Sequence, residues 1–200
     1  MKHGPLILAL WLVSTQTTLA DARHGGPCTR EQSSTCNAAA VAEFTAKLEE
    51  YLLLRDKATR GLPGERLFAD AGEMLASRDA ARRAIRAARP AARVGDLFTA
   101  PAAAAFRHLI AATAAAHRVD PKDIVRALRA ERLPHATQPV VNAPYDWRLG
   151  AWMWPALLQV LPPLPPDLQY RIVDDDLVLI DLRASLVVDI LEDALDDDAR

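Results

Sequence analysis

The sequence predicts an α+β fold, in which about four helices pack against a small antiparallel β-meander at the C-terminal end. Two observations support this prediction. Apolar residues recur at three- and four-residue spacing in the first two thirds of the chain, as on one face of a helix. From residue 168 the pattern changes to short alternating runs that are broken by turn residues, which is typical of strands. Such a small sheet is not stable alone in water, so we expect it to pack on the helices.

Residues 1–22 have the pattern of a secretory signal peptide. Lys2 supplies a short positive region, residues 5–13 form a short apolar region, and small residues allow cleavage after Ala20 or Ala22. A membrane anchor is the alternative, but nine apolar residues fall short of the roughly 20 that cross a bilayer. We therefore expect an exported protein, periplasmic or secreted, with no transmembrane anchor in the mature chain.

Residues 23–36 are polar and are predicted to form a flexible arm, which carries the two cysteines of the chain, Cys28 and Cys36. In an oxidising compartment, an even number of closely spaced cysteines predicts a disulfide between them. Two free thiols are the alternative. A zinc site is not expected, because it needs two further ligands and only His24 is near.

Residues 37–200 are predicted to form a single domain that begins with the helices. Asn37 and Asp120 are suitable capping residues, Thr99 is a third, and Pro90 is expected to end the second helix. The predicted helices cover residues 38–60, residues 65–89, residues 102–117, and a fourth segment that starts at Asp120.

A proline-rich connector, residues 134–166, is predicted to join the helices to the meander. It holds eight of the fourteen prolines of the chain, with one short helix at 155–161 and a stiff extended run, LPPLPP, after it.

The meander itself is predicted at residues 168–191. Apolar and polar residues alternate in the first strand, which indicates half burial. The second, LVLI at 177–180, is apolar on both faces, as expected of a central strand. The third, LVVDIL at 186–191, alternates again and places Asp189 on the polar side.

Asp174, Asp175 and Asp176 form the turn between the first two predicted strands. Carboxylate oxygens suit calcium. Three adjacent carboxylates on a tight turn point in different directions, however, and the ligand spacing of an EF-hand is absent. We interpret the three aspartates as a solvated hairpin tip.

No pattern for catalysis or for a cofactor is present in the sequence. There is no G-x-S-x-G motif and no phosphate-binding glycine loop among the eight glycines. His108 and His117 are predicted to face opposite sides of one helix, so paired metal ligation is not expected. We therefore expect a non-enzymatic protein with no cofactor and no metal site.

Five arginines share one side of the predicted second helix: Arg78, Arg82, Arg86, Arg89 and Arg93. One interpretation is a solvated helix face. A second is an anion-binding stripe for anionic lipid, lipopolysaccharide or an acidic partner, since nucleic acid is not an expected target of an exported protein. A third is neutralisation within the molecule. Residues 21–135 carry 19 basic and 14 acidic side chains, whereas residues 136–200 carry 4 basic and 12 acidic ones.

Three tryptophans, Trp147, Trp152 and Trp154, lie close together beside Met153. Such aromatic side chains pack into a core in one interpretation. In the other they form a contact surface for a sugar or a peptide partner.

Three stretches resemble a known family: EFTAKLEEYLLLRDKATRGLP at 43–63, RVGDLFT at 93–99, and LPPLPPDLQYRIVDDDLVLIDLRASLVVDILEDAL at 161–195. On these residues the chain resembles a family of uncharacterised exported bacterial proteins. The resemblance implies export and the α+β architecture, and it supplies no activity, ligand or catalytic residue. The final hairpin pattern is also similar to that of small periplasmic proteins linked to nickel and cobalt homeostasis, from which no metal function follows.

Together these patterns predict an exported protein that acts by binding a protein or an envelope component. A structural or envelope-stress accessory is the alternative. A periplasmic metal-homeostasis accessory is the third hypothesis.

Overall fold

A computed structural model describes residues 33–62, 70–150 and 152–195, with side chains from residue 35 onward. It confirms the α+β fold, with helices first and a three-stranded antiparallel sheet at the C-terminal end. The helices are α1 (Ser33–Ala58), α2 (Ala71–Ala88), α3 (Ala100–His117), α4 (Pro121–Glu131) and α5 (Pro155–Leu158), with a 3-10 turn at Trp147–Leu149. The strands are β1 (Leu168–Val173), β2 (Asp176–Asp181) and β3 (Leu186–Leu191).

The N-terminal boundary of α1 differs from the prediction. The helix starts at Ser33 and not at Asn37, so Cys36 lies within the helix and not in an arm. Cys28 and the signal-peptide residues 1–22 lie outside the described residues. The 28–36 disulfide therefore stays a prediction.

The starts of the next helices follow their capping residues. Asp70 accepts a hydrogen bond from the Glu73 N–H at 2.8 Å, which caps α2. Asp120 does the same for α4 through the Lys122 N–H at 2.9 Å. Thr99 occupies the capping position of α3 but its side chain makes no capping hydrogen bond. The predicted residues 65–69 of the second helix lie outside the described part.

An aromatic cluster joins the helical layer to the sheet. Phe44 of α1 stacks on Phe98 with ring centroids 5.3 Å apart, and it meets Phe106 of α3 at 4.8 Å. Tyr170 of β1 contacts the same group, 6.1 Å from Phe106. Tilted and edge-to-face pairs of this kind add to the stabilisation from burial. The meander therefore closes the core of the helices, as predicted.

The sheet is covered on both faces, which explains why β2 and β3 are nearly continuous in apolar residues. On the helix side lie residues such as Leu177 and Leu179 of β2. On the opposite side Val178 and Ile180 pack with Tyr145, which belongs to the proline-rich connector. This segment therefore acts as a covering layer, a role that its composition did not indicate.

The connector also pairs with the outer edge of β3. The Asn142 N–H donates to the Val187 carbonyl at 2.8 Å, and the Val187 N–H donates to the Ala143 carbonyl at 2.9 Å. The Tyr145 N–H continues the pairing to the Ser185 carbonyl at 2.9 Å. Pairing of this sort covers an edge strand that would otherwise present unpaired backbone N–H and C=O groups.

The predicted position of Asp189 on a polar side of β3 is wrong, because β3 contains a β-bulge. Leu179 pairs with Asp189 and the next residue, Ile180, pairs with Val187, so Val188 is the extra residue. A bulge of this kind re-aims the side chains beyond it. Val188 and Leu191 consequently belong to the helix-side core, whereas Val187 and Ile190 face the connector. Asp189 is fully buried and does not lie on a polar side.

Candidate functional site

The buried carboxylate of Asp189 is surrounded by backbone donors. Its Oδ1 accepts the N–H groups of Gly95 at 2.9 Å and Ile190 at 2.9 Å. Its Oδ2 accepts those of Leu97 at 2.7 Å and Phe98 at 2.8 Å. Four N–H donors thus meet one carboxylate, in the way that backbone nests hold anions.

This arrangement ties the α2–α3 loop to β3. Gly95 has a φ of +86°, a backbone conformation that suits glycine and that turns its N–H toward Asp189. Burial raises the pKa of Asp189, and the hydrogen bonds from the backbone oppose that shift. With its four acceptor positions occupied by the fold, Asp189 serves as an internal anchor for residues 95–98.

A second buried acid, Asp181, joins β2 to α1. Tyr51 Oη donates to Asp181 Oδ2 at 2.8 Å, and the Ala184 N–H donates to Oδ1 at 3.2 Å. The Arg55 guanidinium lies 3.6 Å from Asp181 and 3.5 Å from Asp167. Tyr51, Arg55 and Asp181 are all buried, so this network links the helical layer to the sheet through charge.

Titration in this network follows from burial. Burial raises the pKa of Asp181, while the Tyr51 hydrogen bond and the Arg55 charge oppose the rise. Burial and the Asp181 charge together raise the pKa of Tyr51 well above its usual value. Tyr51 is therefore a hydrogen-bond donor at neutral pH, and it is not poised to act as a base.

The predicted arginine stripe is divided by the fold. Arg82 donates to the Ala184 carbonyl at 3.2 Å and pairs with Asp79. Arg89 donates to the Val188 carbonyl at 3.0 Å, and its guanidinium carbon lies 5.3 Å from the centre of the Tyr51 ring. These two side chains tie α2 and its C-terminal cap to β3 and to the turn before it, and they are not presented to an external anion.

The other three members of the stripe also depart from a continuous row. α2 ends at Ala88, so Arg93 lies beyond the helix, where its side chain is 86% exposed and pairs with Asp96. Arg78 is half-buried and Arg86 is exposed. Arg82 and Arg89 contact the C-terminal region through its backbone carbonyls, and their ion-pair partners are Asp79 and Asp96. Neutralisation of the stripe by the acidic C-terminal part therefore stays a prediction.

The three tryptophans do not form one contact surface. Trp147 is 42% exposed, donates from Nε1 to Ser185 Oγ at 2.8 Å, and packs against Tyr145 on the connector side of the sheet. Trp152 and Trp154 are half-buried and pack against the helix-side core. The His117 ring lies 5.5 Å from that of Trp154.

The aspartate turn is held by the protein and is not a solvated tip. Arg129 and Arg132 pair with Asp174 at 3.2 Å each, and Gln138 donates to it at 3.1 Å. Although burial acts in the opposite direction, these partners lower the pKa of Asp174. Among the residues that the structure describes, no three His, Cys, Asp or Glu side chains form a group able to hold a metal.

The raised pKa of Asp176, in the same turn, makes us expect that the stability of the protein depends on pH. Burial, together with the nearby charge of Asp175, raises its pKa to about 6. The folded state therefore binds the proton more tightly than the unfolded chain, so this contribution to stability is full below about pH 4 and is lost as the pH rises through about 6. Because the side chain is only half-buried, we expect the loss to be about 1 kcal/mol.

Asp176→Asn removes this titration. The variant is expected to lose less stability than the wild type between about pH 4 and about pH 8, by about 1 kcal/mol. Urea unfolding at both pH values, followed by circular dichroism, measures the difference. An equal pH dependence in the two proteins would contradict the assignment to Asp176.

A groove beside α4 was not found from the sequence. It has a volume of about 400 Å³ and shares the lining residues Lys122 and Leu195 with a second groove of about 280 Å³. We call the first the α4 groove; it is lined by Lys122, Val125, Arg126, Arg129, Asp175 and Leu195. Its three cations are exposed, and they lie at i, i+4 and i+7 on one side of the helix. That spacing is the signal that could have revealed the cationic row, but not the groove.

Another groove, of about 500 Å³, lies between α1 and α3. Four of its nine lining residues are alanine, and Glu43 and His108 are among the polar side chains. Small apolar residues give no chemical indication of a ligand, so the α4 groove is the stronger candidate.

Comparison with known protein-family models, with curated proteins and with solved structures finds no match. The resemblance to exported bacterial proteins therefore stays a prediction. Within the described residues, no helix has both the length and the apolar character needed to cross a membrane.

Proposed function

We propose that this is an exported, non-enzymatic protein that binds an acidic segment of a partner protein in the α4 groove. The observation that carries the proposal is the row formed by Lys122, Arg126 and Arg129 beside the apolar side chains of Val125 and Leu195. Cations next to apolar surface suit a peptide that carries both carboxylates and apolar residues.

These cations remain available to a partner. Arg126 pairs with Asp123 at 2.9 Å and Arg129 with Asp174 at 3.2 Å, but their side chains are 76% and 60% exposed. The Arg126–Asp123 pair is exposed on both sides, so it contributes little and exchanges readily. Arg129 also holds Asp174, which is only 14% exposed, but most of its own side chain remains accessible to a partner. Lys122 has no ion pair in the described part of the chain. The whole protein has a formal net charge of −2, so attraction of an acidic segment is local to this face.

Binding is favoured over catalysis by the role of the buried ionisable groups. Asp189 holds a loop, and Tyr51 and Asp181 hold α1 against the sheet. A catalytic acid or base must instead lie within reach of a substrate, in a cleft. The α4 groove offers cations and apolar contacts, which are means of recognition.

The test uses a short fluorescent peptide of glutamate and leucine and the protein from a periplasmic extract. An intact mass that corresponds to a start at Asp21 or Arg23 checks export in the same preparation. Fluorescence anisotropy should show binding that weakens as salt is added. The double variant Lys122→Gln/Arg126→Gln should bind about tenfold more weakly, because two exposed charge contacts are lost.

The matched control neutralises two exposed cations on α2, in Arg83→Gln/Arg86→Gln. It removes the same net charge from α2, which contributes no residue to the lining of the α4 groove, and it also tests part of the stripe predicted from the sequence. Peptide affinity should stay within about twofold of wild type. Equal losses in both double variants would show attraction by overall charge and would overturn the assignment to the α4 groove.

A further inference from the structure

The last described residues of the chain are anchored on the helical layer next to the α4 groove. Arg107 of α3 donates to the carbonyls of Glu192 at 2.7 Å and Asp193 at 3.3 Å. The Leu195 N–H donates to the Asp175 carbonyl at 2.9 Å, and its side chain is 4% exposed. The chain is therefore held in place up to the edge of the groove that Leu195 helps to line.

Three aspartates follow Leu195 directly in the sequence, at positions 196–198. The cations of the α4 groove have the opposite charge and a matching length. Lys122 and Arg129 are seven residues apart on a helix, which corresponds to about 10.5 Å along its axis. Three extended residues reach about 10 to 11 Å. The tripeptide is thus long enough to meet the cationic row without any movement of Leu195.

We propose that residues 196–198 occupy the α4 groove and that an acidic partner binds by displacing them. The first part rests on the anchored position of Leu195 and on charge complementarity alone. The second part rests on the proposed function, since it concerns competition for the same groove. A segment joined directly to the edge of its site has a high effective concentration, so even weak charge contacts keep it there in competition with a separate peptide.

Carbodiimide cross-linking tests the location of the segment. The reagent activates a carboxylate, and an adjacent lysine amine then forms an amide, with net loss of one water. After the predicted cleavage the chain keeps three lysines, Lys47, Lys57 and Lys122. Peptide mapping should find residues 196–198 joined to Lys122 and not to Lys47 or Lys57, which lie on α1. Lys122→Arg keeps the charge and should abolish the product. Absence of the Lys122 product in wild type would overturn the proposed location.

Peptide binding tests the competition. The variant Asp196→Asn/Asp197→Asn/Asp198→Asn should bind the glutamate–leucine peptide about threefold to tenfold more tightly than wild type, because the competing charges are gone. A control with the same charge change on exposed residues of α1, Glu43→Gln/Glu49→Gln/Asp56→Asn, should bind with an affinity close to wild type.

The two proposals fail in different ways. Equal affinities of the tail variant and wild type would overturn competition and leave the α4 groove as a binding site. If none of these proteins binds the peptide, the proposed function and the competition fail together, whereas a Lys122 cross-link would still establish that the segment lies in the groove.

Discussion

Asp189→Ala is expected to lower the free energy of unfolding by about 4 kcal/mol, because it leaves three buried backbone N–H groups and the part-buried one of Gly95 without their acceptor. Each unsatisfied buried donor costs about 1–3 kcal/mol, and water that enters the space left by the carboxylate recovers part of the sum. A loss of about 4 kcal/mol is a large share of the stability of a single domain. Urea unfolding, followed by circular dichroism, measures it.

Asp189→Asn tests the hydrogen-bond acceptors of the carboxylate without a change in side-chain size. An amide has the same size but presents its NH₂ group to one of the two pairs of N–H donors, so we expect a loss of about 2–4 kcal/mol. Asp175→Asn is the matched control, since the Asp175 side chain makes no hydrogen bond within the described residues, and its effect should stay below about 0.5 kcal/mol. Equal effects of the two asparagine variants would contradict the anchoring role of Asp189.

The sheet was largely predictable because its signals are local. The alternation in β1, the apolar run of β2 and the turn residues between them gave strand positions within about two residues of those observed. The half burial of β1 also agrees with the pattern of its sequence. Strand pairing between neighbours along the chain requires no knowledge of distant residues.

Asp189 was assigned to the wrong side because alternation assumes an unbroken register. The unpaired Val188 shifts the count, and no residue type in LVVDIL marks the bulge. The one signal was composition, since a single acid in an otherwise apolar strand that is buried on both faces must also be buried. A buried acid needs donors, and three of the four come from residues 95–98, more than ninety positions earlier.

The contacts of Arg82 and Arg89 could not be predicted from the sequence for a related reason. Helical spacing shows which residues share a side, but not what packs on that side. Arg82 and Arg89 reach carbonyls of the loop before β3 and of β3 itself, and these contacts appear only once the sheet is placed. The α4 groove likewise combines α4 with Asp175 and Leu195, three parts of the chain that no local pattern connects.

Leu179→Ala should have the second large effect on stability. Leu179 lies in the middle strand and is fully buried on the helix side, between its cross-strand neighbours Tyr170 and Asp189. The sheet is packed on both faces, so the surroundings have little freedom to collapse into the space of the lost side chain. Loss of burial plus a cavity then costs about 2–5 kcal/mol. The same urea unfolding experiment gives the value.

Leu53→Ala makes the same chemical change on the surface of α1, where Leu53 is 71% exposed, and should alter stability by less than about 0.5 kcal/mol. The slope of unfolding free energy against urea should be unchanged in both variants, because the surface exposed on unfolding is nearly the same. If Leu179→Ala costs no more than Leu53→Ala, the middle strand is not held between the helices and the connector. The bulge that turns Asp189 inward would then lose its structural basis as well, since Leu179 and Asp189 are partners in the same register.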